Sequence, residues 1–274
     1  MRCKADRRGA RRWLAAVALI AAVAVSGCSK KPKDEYIKAS VSTLYHQGHL
    51  MLEEGQYRDA AKAFDEVERQ HPYSVWARRA QLMSAYAQYL TNNYDEAILA
   101  AQRFLALHPG NHSAPYAYYL VALCYYEQIS DVGRDQHVTE QALKALNDVV
   151  RRYPNSEYAT DARLKRDLVI EHLAGKEMEV GRFYLKAGEQ LAAILRFRTV
   201  VKKYNTTTHV PEALHRLTEA YLALGVVAEA KKTAAVLGYN YPGSRWYEYS
   251  YELLHGRQAK PRGEKKKSWL SRIF

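Results

Sequence analysis

Histidine, cysteine and lysine are the residues of this chain whose spacing bears on chemistry. His46 and His49 lie three apart, which puts two imidazoles on one side of a helix and within reach of a single metal ion. No third ligand of the His-Glu-x-x-His kind accompanies them, so solvated or groove-lining histidines are the better reading. His108 and His112 flank a Pro-Gly-Asn turn and read as loop residues. Gly175-Lys176 lacks the upstream glycine of a phosphate loop, and neither Gly-x-Gly-x-x-Gly nor Gly-x-Ser-x-Gly occurs. Cys124 sits in the apolar run Tyr119 to Tyr126 without the exposed, electropositive setting of a nucleophile, and reads as a small core residue. These residues assemble neither a catalytic constellation nor a metal or cofactor site. No enzymatic activity is expected.

Cys28 differs from the other cysteines in what precedes it. A basic stretch (Arg2, Lys4, Arg7, Arg8, Arg11, Arg12) leads into an apolar run from Trp13 to Val25, whose 13 residues are too few to cross a bilayer. It reads as the hydrophobic region of a secretory leader. The leader ends in Val25-Ser26-Gly27-Cys28, which resembles the bacterial lipobox. That resemblance implies cleavage before Cys28, a diacylglycerol thioether on its sulfur and an acyl chain on the new amino terminus. Three chains at about 0.8 kcal/mol per buried methylene exceed what stable anchoring needs. Ser29 follows where an Asp would suggest inner-membrane retention, so the same resemblance favours the periplasmic face of the outer membrane.

The formal charge of +12 is concentrated at the two ends. The leader holds six basic side chains and one acid, and the segment Gly256–Phe274 holds seven and one, so the body between Cys28 and His255 is close to neutral. A body without net positive charge does not supply the basic face of a nucleic-acid binder. With Cys3 in the leader and Cys28 lipidated, Cys124 has no thiol to pair with, and packing must hold the fold.

The elements that position these residues are repeats. Pro72, Pro109, Pro154, Asn205 and Pro242 mark the ends of five units at intervals of 37, 45, 51 and 37 residues. Periods of this size with helical patterning between the marks signal a solenoid of helix hairpins. In the first unit, Gly55-Gln56-Tyr57 separates a helix at about 36–54 from one carrying Ala60, Phe64 and Val67, with Gly48 at the close crossing between them. Asn92 replaces the turn glycine in the second unit, and Gly181, Gly188, Ala193 and Phe197 fall in register in the fourth. The third unit carries an insertion, Ser130 to His137, and a single long helix is expected between Glu157 and Lys186. The fold expected is all-α, a right-handed solenoid of five tetratricopeptide-like repeats and about ten helices over residues 36–255. A leader (1–27) and a lipidated spacer (28–35) precede it, and a basic tail (256–274) follows.

A solenoid of this kind works through its surface. Aligning the units turns Tyr45 and His49, then Arg79, Tyr86 and Tyr89, then Tyr119 and Tyr126 toward the concave groove. Aromatic rings with a polar tip bury area while their hydroxyls satisfy a peptide backbone. The same tyrosines also suit packing between helices, and both readings stand. In the tail, Lys265-Lys266-Lys267 precedes Trp269, Leu270, Ile273 and Phe274 on one helical stripe, a pattern fit for anionic lipid, for a partner, or for a solubilising extension.

The blocks His71-Pro72-Tyr73-Ser74-Val75-Trp76-Ala77, Tyr116-Ala117-Tyr118-Tyr119-Leu120, Asp131-Val132-Gly133-Arg134-Asp135-Gln136 and Gly175-Lys176-Glu177-Met178-Glu179-Val180-Gly181-Arg182-Phe183-Tyr184 are more specific than a repeat pattern. Together with the lipobox they resemble the D subunit of the β-barrel assembly machinery, a family of outer-membrane lipoproteins with five tetratricopeptide repeats. The resemblance implies a non-enzymatic scaffold that binds the periplasmic domains of the central barrel-assembly subunit, works beside other assembly lipoproteins and helps fold and insert unfolded outer-membrane proteins. By the same resemblance the C-terminal repeats contact the central subunit, with Arg196 as the matching contact residue, and the N-terminal repeats offer the substrate groove. Other envelope lipoproteins share such repeats, among them a pilotin for type IV pilus secretins or a cell-wall-linked adaptor, but they lack the Gly-Arg-Asp insertion and the Gly-Lys-Glu-Met-Glu block.

Overall fold

The computed structural model describes residues 40–256. Over that span the chain is all helical: α1 (Val41–Glu53), α2 (Tyr57–Gln70), α3 (Val75–Leu90), α4 (Tyr94–Leu107), α5 (Ala114–Glu127), α6 (His137–Arg152), α7 (Glu157–Lys186), α8 (Gln190–Lys203), α9 (Val210–Ala223), α10 (Val227–Asn240) and α11 (Arg245–Leu254). Each helix packs on the next in sequence, and the first helices of successive hairpins also touch (α1 on α3, α3 on α5, α5 on α7, α9 on α11). The leader, Cys28, the spacer and the tail beyond Gly256 lie outside the described residues, as does the expected start of the first helix at about residue 36; α1 begins at Val41.

The hairpins are punctuated by backbone chemistry. Gly55, Gly188 and Gly225 turn the chain at φ of +77°, +81° and +74°, a left-handed conformation cheap only for glycine. Asn92 holds the equivalent place at φ +60°, and asparagine is the side chain that best tolerates it. The second helices end at His71, His108, Tyr153, Tyr204 and Tyr241, each donating its N–H to a carbonyl four residues back. Proline follows four of the five, and proline forces the residue before it out of the helical region. Ser74, Ser156 and Ser244 then cap the next first helix, their hydroxyls accepting from Ala77, Ala159 and Trp246 N–H.

Within a hairpin the two helices meet where one residue is small. The residue seven before the turn is Gly48, Ala85, Gly181 or Thr218, and all four are buried. A Cβ on Gly48 would lie 2.9 Å from the Phe64 ring, and one on Gly181 2.5 Å from Phe197. Phe64, Phe104 and Phe197 are buried completely, each contributing about 1.5–3 kcal/mol of burial.

The long helix is α7, 30 residues and therefore about 45 Å. Its first half completes the third unit's packing on α5 and α6, and its second half opens the fourth hairpin with α8.

The count of about ten helices falls one short, because α11 follows the fifth hairpin and packs on α9 and α10. Gly256 repeats the turn geometry at φ +69°. Arg245 and Glu248 are exposed on α11, and so are Tyr251 and Leu253, so its free side is mixed.

Candidate partner-binding surfaces

Tyrosines of three first helices, α3, α5 and α7, form one ladder with Tyr94 at the start of α4. Tyr94 and Tyr89 rings lie 5.9 Å apart, Tyr89 stacks on Tyr86 at 6.5 Å, and Tyr86 meets Tyr116 at 6.4 Å. The ladder continues through Tyr116–Tyr158 at 5.5 Å and Tyr158–Tyr119 at 5.3 Å. The Tyr119 hydroxyl donates to the Asp161 carboxylate, which also takes a bond from Lys165 at 3.0 Å. Lys165 in turn lies 5.5 Å over the Tyr126 ring. All the ladder tyrosines are partly buried, so they both pack between helices and present an edge outward.

Beside the ladder's α3–α5 portion opens a cleft of about 730 Å³ bounded by Tyr45, Arg79, Met83, Tyr116 and Tyr158. Tyr45 rests on Trp76 (4.8 Å) and Phe64 (5.5 Å), and the Arg79 guanidinium stands 5.4 Å over Trp76. Among the described residues, Arg78 and Arg79 are the cations lining this cleft and Glu157 is the one acid. Burial pushes the Tyr116 and Tyr119 phenols well above their ordinary pKa; neighbouring phenols add to it at Tyr116, and the hydrogen bond to Asp161 adds to it at Tyr119. Both remain neutral donors. Asp161 is held below the usual carboxylate range: burial opposes ionisation, but the bonds from Tyr119 and Lys165 outweigh it.

The seven groove candidates therefore occupy different places. Tyr45 and Arg79 line the cleft directly, Tyr86, Tyr89 and Tyr119 belong to the ladder, and Tyr126 stands at its far end above Lys165. His49 points elsewhere, its Nδ1 3.3 Å from Glu53 on the same helix. Tyr158 and Asp161 complete the ladder from α7, a helix that aligning the earlier units left out. Among the described residues, no group of three or more His, Cys, Asp or Glu is placed to hold a metal ion, and no helix is long and apolar enough to cross a membrane.

A second surface lies where α7 turns into α8. Arg196, which is exposed, pairs at 3.3 Å across that hairpin with Glu177, which is partly buried. In the same hairpin Phe183 on α7 and Leu191 and Leu195, one turn apart on α8, leave 67, 70 and 65 % of their surface exposed. Exposed apolar residues in one hairpin mark a contact surface better than any one of them alone. Their pattern gave no warning, because an exposed leucine and a core leucine read alike.

A third feature joins two segments far apart in sequence. The insertion between α5 and α6 is drawn together by Gln136, whose side-chain amide donates to the carbonyls of Asp131, Val132 and Arg134. Lys176 on α7 donates to the Gly133 carbonyl at 3.0 Å, so the Asp131–Gln136 block docks on the Gly175–Tyr184 block.

Comparison with known proteins follows this geometry. The model of an outer membrane lipoprotein family, YfiO, matches residues 38–237, the span of the hairpins. This chain belongs to that family. A relative in Caulobacter vibrioides, named outer membrane protein assembly factor BamD, is 55 % identical over 258 residues, covering 93 % of this chain and 85 % of its own. A relative of the same name in Rickettsia prowazekii is 46 % identical over 240 residues, covering 88 % and 96 %. Among solved structures, a tetratricopeptide-repeat protein of Thermus thermophilus superposes with a TM-score of 0.37 at 21 % identity, covering 79 % of this chain and 99 % of that one. In this chain the matched span is an all-helical run of hairpins, with the aromatic cleft near its N-terminal end and the Arg196 surface toward the other.

Proposed function

We propose that this protein is a non-catalytic scaffold of outer-membrane β-barrel assembly, anchored at the periplasmic face by acyl chains on Cys28. The surface around Arg196 grips the periplasmic domains of the central barrel-assembly subunit, while the cleft and tyrosine ladder of α1, α3, α5 and α7 receive segments of unfolded outer-membrane proteins. Other assembly lipoproteins share the platform. Membership in an outer membrane lipoprotein family whose relatives are named assembly factors supports the reading.

The observation that carries it is the ladder. Six phenol rings, each in contact with the next, offer stacking faces along one line. The hydroxyls other than those of Tyr94 and Tyr119, which donate to Asn92 and Asp161, add neutral donors, which suits an extended segment of variable sequence. A segment that orders on binding loses chain entropy, so its grip is weak for its area and easily released. A scaffold that hands clients on needs that property. The Arg196 surface supplies the opposite one: exposed apolar side chains beside a cation that already has an acidic partner suit a longer-lived contact.

The test is Arg196→Glu in the full-length lipoprotein. Reversing one charge of an interfacial pair costs at least about 2 kcal/mol, so co-purification with the central subunit should fall more than about tenfold while the helical content is unchanged. Undiminished co-purification removes Arg196 from the contact.

A further inference from the structure

Two adjoining hollows, of about 630 and about 430 Å³, lie along the middle of α7 and share Leu168 and His172 in their walls. They sit between the insertion after α5 and the loop that leads into α9. Neither belongs to the aromatic cleft or to the Arg196 surface. The floor is opened by Gly175, where a side chain would stand 3.4 Å from His209 and 3.9 Å from Val132. Leu164 and Leu168, one turn apart on α7, are exposed beside it. The Nε2 atom of His172 is buried and has no hydrogen-bond partner.

The charges facing these hollows are mostly of one sign. Glu127, Asp131, Glu171 and Glu179 line them, against a single guanidinium, Arg182. Arg182 is already paired with Glu212 at 3.2 Å, and Glu171 receives the Thr208 N–H and lies 3.9 Å from His209. Lys176, close by, is bound to the Gly133 carbonyl, and Lys165, a turn before Leu168, is paired with Asp161. What remains is an acidic, partly apolar trough.

We infer that this trough is the docking site of the protein's own C-terminal segment, Lys265–Phe274. That segment has the complementary chemistry: four cations, Lys265, Lys266, Lys267 and Arg272, interleaved with Trp269, Leu270, Ile273 and Phe274. Its connection is long enough. The last described residue, Gly256, follows α11, which packs on α9, and α9 starts at the trough wall beside His209. The 14 residues of α9 span about 21 Å, and neighbouring helices lie about 8–10 Å apart. Nine residues from Gly256 to Lys265 reach at most about 30 Å when fully extended, enough to cover this distance. Docking covers Leu164 and Leu168 and brings lysines to the carboxylates of the trough.

The experiment places a photo-reactive benzoylphenylalanine at Leu168 in the full chain and, as a control, at the equally exposed Leu191. Irradiation should join Leu168 to a residue of 265–274 in the same molecule, with a yield independent of protein dilution. The Leu191 control should not give that product. Charge reversal at Lys265, Lys266 and Lys267, or at Asp131 and Glu179, should cut the yield about tenfold, and raising salt from about 0.05 to about 0.5 M should lower it, since screening then acts over a few ångströms. Products joining two copies and fading on dilution, equal yields from the two positions, or absence of the tail product each overturn the assignment.

Discussion

Replacing Gly181 by alanine should destabilise the fourth hairpin, although alanine is the better helix former. In the middle of α7 the exchange gains about 1 kcal/mol of propensity. Against this, the new methyl would lie 2.5, 2.8 and 2.9 Å from three ring atoms of Phe197, a side chain with no exposed surface. The ring has nowhere to move without pushing α8 away from α7. Overpacking of a filled core costs about 1–3 kcal/mol, and three contacts below 3.0 Å put this site at the upper end. The net loss is about 2 kcal/mol, which for a domain of this size lowers Tm by about 4–8 °C. Thermal melting followed by circular dichroism measures it. The cause can be isolated by adding Phe197→Leu, which removes the offending ring edge; the two changes together should cost at least about 1 kcal/mol less than their sum. Gly175 provides the contrast six residues earlier in the same helix. There an added methyl meets nothing closer than 3.4 Å, so Gly175→Ala keeps the propensity gain and should raise Tm by about 2–4 °C. An unchanged or higher Tm for Gly181→Ala, or strict additivity with Phe197→Leu, refutes the close-crossing argument.

Three further outcomes follow from the same geometry. Cys124 is buried, and burial pushes its thiol up to about 12, so the folded protein should resist maleimide at neutral pH and react only in denaturant, as a mass-spectrometric time course reads. Asp161 has a folded pKa below its unfolded one, so its contribution is present above the unfolded pKa and is lost as pH falls through the folded value; Tyr119→Phe removes one of its hydrogen bonds and should raise that pKa in a carboxylate NMR titration. The Arg196–Glu177 pair is exposed on its arginine side, so Arg196→Glu should change Tm by no more than about 2–4 °C, which separates a binding defect from a folding one.

The repeat marks were readable because each answers a local demand. A left-handed turn asks for Gly or Asn at 55, 92, 188 and 225, a close crossing asks for a small residue at 48 and 181, and a proline after the second helix ends it. The long α7 was readable from the absence of such marks between Glu157 and Lys186. α11 was missed because the count of units stopped at Pro242. The signal was present: Pro72-Tyr73-Ser74, Pro154-Asn155-Ser156 and Pro242-Gly243-Ser244 share a proline two residues before a capping serine, and each opens a first helix. The surfaces were less legible. Tyr45 and Arg79 meet in the cleft as aligned, but His49 turns to Glu53, and Tyr158 and Asp161 enter from a helix whose register only packing reveals. Phe183, Leu191 and Leu195 could not be told from core residues, because periodicity reports which residues share a face and not whether a partner helix covers it.

The central claim is that this solenoid supports outer-membrane β-barrel assembly by holding partners rather than by chemistry. The most direct measurement is conditional depletion of the protein in its own cells, followed by quantification of folded porin in the outer membrane. The account predicts that folded porin falls as the protein is lost and returns when the intact lipoprotein is resupplied, but returns poorly with Arg196→Glu. Porin assembly that proceeds undiminished after depletion contradicts it.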